Sequence, residues 1–468
     1  VSKTYAGARL RRLREDRRMS QAELARVLGI SPSYLNQMEH DSRPLTVPVL
    51  LRLTEAFGVD PGFFSARDTT RLVADLREAL STEIAGSRVS AADLTDLAAR
   101  TPEVARVLLD LGRRNQRLSE RLAGATDGRA GESAASSPHE EVRDFFYRRE
   151  NYLHDTDLAA ESLAAEIGVR PGEVIGALTA RLAQAHGVHL AAEAGDRLHR
   201  YDEATRTLYL SPRLRPGRRA FRMATQLALL EHGDALDRHA AEDFTPGSAP
   251  HALTRIGIAN YFAAALILPY GTFHAAAEEA RYDIDLLTDH YGVGYETVCH
   301  RLSTLQRPRL RGVPFSFVRV DRAGNMSKRQ SATGFHFSRA GGTCPLWNVY
   351  EAFAAPGRIH VQIAEMPDGQ RYLWTARAVT RHRGRWNDAG RTYAIGLGCE
   401  TRHAHRLVYS DGLDLGNAAA ATPIGMGCRV CERLDCSQRA APPLGRGLLI
   451  DQNSSTFVPY PVTNDGSR

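Results

Sequence analysis

Three cysteines within nine residues constrain the C-terminal part of this chain more than any other feature. Cys428, Cys431 and Cys436 follow the spacing C-x2-C-x4-C. Thiolates that close in sequence can converge on one soft centre, and thiolates are the ligands that iron–sulfur clusters and structural zinc both require. Gly425-Met426-Gly427 before them and Arg439-Ala440-Ala441-Pro442-Pro443 after them read as irregular backbone able to wrap around such a centre. The spacing alone leaves cluster and zinc open. A disulfide is the weaker reading, because no secretory leader is expected, which places the thiols in a reducing compartment.

A helix-turn-helix pattern occupies residues 5–64. A basic helix from Ala8 to Arg18 buries Leu10 and Leu13. Ser20 begins a second helix, with Glu23 three residues on, which makes a capping box. That helix, Gln21 to Leu28, stops at Gly29, suited to a left-handed position. Ser31 then caps a third helix with Pro32 in its first turn. From Pro32 to Glu39 this helix buries Leu35 and Met38 and turns Ser33, Tyr34, Asn36 and Gln37 outward. The run from Met19 to Phe64 resembles the Xre/Cro-type helix-turn-helix family. That resemblance implies that Pro32 to Met38 enter the major groove of double-stranded DNA, with Ser33, Asn36 and Gln37 at base edges and Gln21, Tyr34 and Arg43 at phosphates. A net charge of +6 and a pI near 9.0 permit nucleic-acid binding without establishing it.

An alanine- and leucine-rich helical connector follows over residues 67–123. Val104, Leu108, Leu111, Asn115, Leu118 and Leu122 recur at heptad steps, with the asparagine at an a-type position that fixes register in parallel dimers. The seam lasts under three heptads, so a homodimer contact and packing on the chain's own helices both remain open. Residues 124–138 are small and polar, as in a flexible linker. With 43% apolar residues the chain supports sizeable cores, and its longest apolar run, Ile256 to Pro269, reads as a buried helix rather than a membrane span.

Residues 139–309 begin with helical pattern, then alternate around His189 to Ala194, Arg197 to Tyr201 and Thr207 to Leu210 as a small meander. Helices follow over Arg219 to Glu231 and through "RIGIANYFAAALILP". These segments resemble the ImmA/IrrE metallopeptidase-like domains. A zinc peptidase of that kind needs H-E-x-x-H on one helix. The matching positions here are Thr225, Gln226 and Leu229, which neither ligate zinc nor take a proton from water. Proteolysis is therefore not expected, nor is an Xre-linked metallopeptidase. The cleft is expected to serve as a small-molecule pocket or as scaffold.

Residues 310–468 read as β-rich, with alternating segments "VPFSFVRVD", "GRIHVQIAEM", "QRYLWTARAVT" and "RTYAIGLGCE". Cys299 lies in a helical pattern and reads as core. Cys399, at a strand end, is the expected fourth ligand to the trio. Cys344 is the next candidate, and His403 and His405 are imidazole alternatives. The terminal motifs "GTCPLWNVYEAF", "GLGCETRHAHRLVYSDGL" and "GCRVCERLDCSQRAAPP", together with the head and middle domain, resemble the actinobacterial short-chain fatty-acyl transcriptional regulators, the PrpR/RamB-like proteins. That resemblance implies a cytoplasmic, non-enzymatic regulator of propionate or acetate metabolism, acting as a homodimer or higher oligomer away from membranes. Its effector would be a short-chain acyl-coenzyme A, and Cys399, Cys428, Cys431 and Cys436 would hold a [4Fe–4S] cluster, with zinc as the alternative. A redox- or nitric oxide-sensing cluster regulator is the competing expectation. The fold class expected is multidomain α+β: an all-α helix-turn-helix head over residues 1–66, a metallopeptidase-like α+β middle domain and a β-rich C-terminal domain carrying the cysteines.

Overall fold

The head is built from helices whose ends are set by short-range chemistry. A computed structural model describes residues 7–17, 19–40, 42–57, 67–80, 89, 91–126, 138–333, 335, 344–381, 390–429, 431–443 and 447–462. In the head, α1 (Gly7–Asp16), α2 (Gln21–Val27), α3 (Pro32–Glu39) and α4 (Val47–Phe57) follow one another. Before α2, Ser20 N–H donates to Glu23 Oε2 at 2.7 Å and Ser20 Oγ accepts from Glu23 N–H, so the capping box is complete. Ser31 Oγ accepts from Tyr34 N–H at 3.1 Å and Pro32 occupies the first turn of α3. Gly29 takes φ +60°, the left-handed turn that a side chain resists. Leu10, Leu24, Leu28, Leu35, Met38 and Leu53 close one small core. Arg14 Nε on α1 donates to the buried carboxylate of Glu39 on α3 at 2.7 Å, which fixes α3 against α1.

The connector is three helices, α5 (Arg67–Ala79), α6 (Ala91–Arg100) and α7 (Pro102–Thr126). Leu76, Ala79, Ala98, Ala105 and Leu109 form their core, with Leu108 packed against it. The heptad seam is therefore split. Leu108 faces the connector's own helices, whereas Val104, Val107 and Leu111 are exposed together on the other side of α7. The side chains of Leu118 and Leu122 lie outside the described residues. The expected linker, 124–138, begins inside α7, because the helix runs to Thr126. Residues 127–137 of it lie outside the described residues, and Pro138 opens the next helix.

Residues 135–333 and 342–440 make the larger unit. Its helices are α8 (Pro138–Arg148), α9 (His154–Glu166) and α10 (Val174–His186), then α11 (Pro216–Glu231), α12 (Gly233–Ala241), α13 (Ala249–Ile267), α14 (Tyr270–Glu279), α15 (Ile284–Tyr291) and α16 (Tyr295–Leu302). Between α10 and α11 stand β1 (His189–Ala192), β2 (His199–Asp202) and β3 (Thr207–Leu210), in the order β1-β3-β2. The expected meander is corrected here: β2 and β3 form an antiparallel hairpin, but β1 pairs parallel to β3 at the far edge. As the apolar run predicts, α13 is a core helix, buried at Ile258, Phe262, Ala263, Leu266 and Ile267. Among the described residues no single helix is long and apolar enough to cross a membrane.

The second sheet has six strands, β4 (Ser316–Val320), β5 (Met326–Ser331), β6 (His360–Glu365), β7 (Arg371–Arg381), β8 (Arg391–Glu400) and β9 (Thr422–Pro423), in the order β5-β4-β8-β7-β6-β9. Two short helices, α17 (Asn348–Glu351) and α18 (Thr401–Ala404), flank it. On β8, a Cβ on Gly398 would stand 2.4 Å from the Trp374 ring, so the glycine lets the indole lie flat on the strand. Leu373, Ile395, Leu397 and Cys399 of this sheet share one core with Phe262, Leu266 and Val298 of the helices. No break in packing falls at residue 310. Asp157 on α9, fully buried, meets the equally buried Arg301 of α16 at 2.6 Å and Arg307 at 3.0 Å, tying the first helices of the unit to the approach of the sheet.

Candidate functional site

On the head, Ser33, Asn36 and Gln37 are exposed along one face of α3, and Arg43 is exposed just beyond it, its N–H donating to Gln37 O at 3.2 Å. Tyr34 is half-buried against the head core. Gln21 is tethered: its Nε2 donates to Glu39 Oε2 at 2.7 Å and to Asn36 Oδ1 at 3.3 Å. A helix held this way, with short polar side chains projecting from its first turns, has the shape that fits a major groove.

Four thiols line a second feature, a cavity of about 20 Å³, little more than one water-sized space. They are Cys428, Cys431, Cys436 and Cys344, the last carried from the approach to α17. Gly425 permits this closeness, since a Cβ there would lie 2.5 Å from Cys431 Sγ. Burial pushes the Cys344 thiol up, and backbone N–H groups of Gly425 and Leu346 oppose that shift. Burial does the same at Cys431, opposed by the N–H of Arg433 and by the Arg439 and Arg433 charges. The Ala440 N–H donates to Cys428 Sγ at 3.3 Å. Arg439, only 3% exposed, binds the carbonyls of Cys428, Cys431 and Arg433 from inside the loop. Backbone donors aimed at sulfur stabilise thiolate over thiol, which is what a soft metal demands. Among the described residues no three ligand groups are already drawn to metal-binding spacing.

Cys399 is not part of this cavity. It sits on β8 opposite Leu373, fully buried in the apolar core, where desolvation drives its thiol far up and keeps it neutral. Of the two cysteines expected as partners to the trio, the fold thus places Cys344, and not Cys399, beside it. Cys299 is core, as its helical pattern predicts. His403 on α18 and His405 just after it follow Cys399 rather than the trio, and neither lines the cavity.

The third feature is a cavity of about 750 Å³ walled by α8, α11, α13, α16 and the β4, β5 and β7 strands, a size typical of sites for cofactor-like ligands. Val142, Phe146, Leu214, Phe221 and Ala264 give it apolar lining. Its cationic lining includes Arg218 and Arg222 from α11, Arg319 from β4, Lys328 from β5 and Arg381 from β7. Glu296 accepts from Arg319 Nη1 at 2.8 Å and from Arg381. Burial, then the Arg381 charge, push Arg222 below its ordinary value, and no described acid pairs with it. A half-buried guanidinium without a counter-ion is costly unless an anionic ligand supplies one.

This cavity reuses the peptidase-like helices without their chemistry. Thr225 and Gln226 are buried in α11, and Thr225 Oγ1 hydrogen-bonds to Phe221 O at 2.8 Å and to Asn260 Oδ1 at 3.3 Å. Asn260 and Gly257 of α13 open onto the cavity, where a third metal ligand would be sought. Sequence reading missed the arginine wall; its one local signal is the i, i+4 pair Arg218 and Arg222 on a helix that otherwise packs inward.

These elements define a helix-turn-helix transcriptional regulator with a disarmed IrrE-like domain. The comparisons agree. The signature of a helix-turn-helix domain matches residues 6–62, that of the IrrE N-terminal-like domain 183–303, and that of the short-chain fatty acyl coenzyme A regulator C-terminal domain 304–460. The chain is 55% identical to the HTH-type transcriptional regulator RamB of Mycobacterium tuberculosis, over 99% of each. It is 47% identical to the HTH-type transcriptional regulator PrpR of the same organism, over 99% of this chain and 96% of the relative. It is 44% identical to the propionyl-CoA carboxylase regulator of Cereibacter sphaeroides, over 99% and 100%. A solved Mycobacterium tuberculosis transcriptional regulator superposes with a TM-score of 0.67 at 49% identity, covering 69% of this chain and 99% of that one. The chain belongs to the short-chain fatty acyl coenzyme A regulator family, and it is a DNA-binding regulator, not a peptidase.

Proposed function

We propose that this regulator controls propionate or acetate metabolism genes in the cytoplasm by binding a short-chain acyl-coenzyme A in the arginine-walled cavity. The observation that carries the reading is Arg222, a half-buried cation without a described acid, which lines one cavity with Arg218, Arg319 and Arg381 and with the apolar Val142, Phe146 and Leu214. Coenzyme A esters carry several phosphate charges at one end and a short apolar acyl group at the other. Guanidinium groups match phosphate oxygens in geometry. The relatives' names, which speak of acyl coenzyme A and propionyl-CoA, support the same class. Calorimetric titration of the full chain with propionyl-CoA tests this. Arg222→Met should weaken binding about tenfold to a hundredfold, the effect of losing one charged hydrogen bond. Unchanged affinity in the variant would remove the cavity from the reading.

The four clustered thiols, Cys344, Cys428, Cys431 and Cys436, fit a thiolate-held metal centre, and we assign it to a [4Fe–4S] cluster with zinc as the alternative. The backbone donors to sulfur support a metal–thiolate site of either kind, and iron is what the resemblance of the terminal motifs implies. The small cavity suits a single ion more readily, so metal content decides. When bound, such a centre would cross-link the terminal loop to the residues before α17. The half-exposed positions of Cys428, Cys431 and Cys436 leave such a centre open to small oxidants, which supports redox or nitric oxide sensing as the second reading. A homodimer is proposed through the exposed face of α7.

A further inference from the structure

Of the 60 lysine and arginine residues in this chain only two are lysine, Lys3 and Lys328. Everywhere else in the lining of the large cavity where a cation stands with a side chain that stays charged, it is arginine. Lys328 is nevertheless a lysine, and it lines that same cavity from β5. The two side chains differ chiefly in one property: an ammonium gives up its proton and becomes a nucleophile, and a guanidinium does not.

Resting on the acyl-thioester reading of the cavity, we propose that Lys328 is an acyl-acceptor site, its Nζ taking the acyl group from a bound thioester to form a stable amide. The free amine's electron pair attacks the thioester carbonyl carbon. The C–N bond forms, the C–S bond breaks with its electrons on sulfur, and the proton lost from Nζ ends on the departing thiolate. Acyl thioester and amine thus become amide and free thiol, with no oxidant or further reactant.

The surroundings suit that step. The ammonium stands 5.7 Å from the Phe317 ring centroid, and no described carboxylate comes within ion-pair distance of it. The imidazole of His300 packs edge-on against the same ring, centroids 5.8 Å apart, and lines the same cavity. Burial, then the charges of Lys328, Arg301 and Arg319, hold His300 well below its ordinary value, so it stays neutral and adds no charge beside the amine. The charged groups facing Lys328 are Glu296 on α16, Arg319 on β4 and Arg381 on β7, with His139 and Arg143 of α8 and Arg218 and Arg222 of α11 also around the cavity. Burial, against the pull of Glu296 and with the push of Arg319 and Arg381, brings the ammonium down to about 8. Roughly a tenth of it is then free amine at neutral pH. Acylation removes a positive charge beside Glu296 and leaves a mark that outlasts the ligand.

The test incubates full-length protein with propionyl-CoA and, separately, with coenzyme A thiol, and follows intact mass and peptide mass across a pH series. The expected product is one propionyl group on Lys328. It should form at least about tenfold faster than on Lys3, the internal measure of background chemistry. Its rate should climb through pH about 8 as the amine deprotonates. Lys328→Arg should acquire nothing at that position, while Lys3 keeps its slow background rate. Calorimetric binding of propionyl-CoA with Lys328 unmodified, or with Lys3 and Lys328 modified at equal rates, overturns the acyl-acceptor role while leaving the cavity reading intact. Absence of any binding overturns both.

Discussion

Cys344 and Cys399 are both buried thiols, and they differ in what stands beside the sulfur. Around Cys344 are three other cysteines and two backbone N–H groups; around Cys399 is an apolar core. Serine in place of a ligating cysteine swaps a soft thiolate for a harder and far less acidic group, and binding energy at such a centre is also folding energy. Cys344→Ser, Cys428→Ser, Cys431→Ser and Cys436→Ser should each lower iron and sulfide content after anaerobic reconstitution and reduce visible absorption. Cys399→Ser should keep full occupancy. The reverse result for Cys344 and Cys399 would contradict the geometry, and stoichiometric zinc in colourless protein would turn the assignment to zinc. The trio was legible because its members are neighbours in sequence. The thiol beside them, Cys344, stands in the sequence only as the next candidate after Cys399, because it lies over 80 positions upstream and reaches the loop only through the fold of the sheet. The arginine wall was hidden for the same reason: Arg222, Arg319 and Arg381 come from three elements, and each alone reads as an ordinary surface cation.

Helix ends were the most legible elements, since capping is settled within four residues. Ser20 with Glu23, and Ser31 with Pro32, act as their spacing implies. On α7 the heptad positions do not share one side: Leu108 and Leu109 turn inward, and Val104, Val107 and Leu111 turn out. Leu111→Lys should therefore weaken self-association, measured by sedimentation at micromolar concentration, with little loss of helix signal. Unchanged association would place the dimer contact elsewhere. The parallel pairing of β1 with β3 had no local signal, because strand order follows the crossover and not the alternation. Between elements, the Asp157–Arg301 pair supplies a second prediction. Burial alone would raise the Asp157 carboxyl, but Arg301, its hydrogen bonds with Tyr261's, and Arg307 overcome that and hold it below the usual range. Its stabilisation is thus complete above the ordinary carboxylate pKa and is lost as pH falls through the depressed one. Asp157→Asn should cost about 3–5 kcal/mol in denaturant unfolding at neutral pH, by stranding a buried guanidinium. A loss near zero would show that water reaches Arg301.

At the scale of the whole molecule, helices and sheet of the larger unit share one apolar core. The cavity draws its walls from both the IrrE-like part and the acyl-regulator part. The shift in composition near residue 310 marks two family segments, and packing joins them. A ligand that bridges α11 on one side and β4, β5 and β7 on the other is positioned to bias this unit as one body. Binding alone does not regulate; the ligand must favour one DNA-binding form over another, and the coupling is then reciprocal. The most direct measurement is therefore operator affinity of the full chain, by fluorescence anisotropy at fixed salt, across a titration of propionyl-CoA, in wild type and Arg222→Met. The account predicts that operator affinity shifts about fivefold or more in wild type as the ligand saturates, and that Arg222→Met needs correspondingly more ligand for the same shift while its ligand-free DNA affinity is unchanged. An operator affinity that stays constant while calorimetry shows the cavity filled would contradict it.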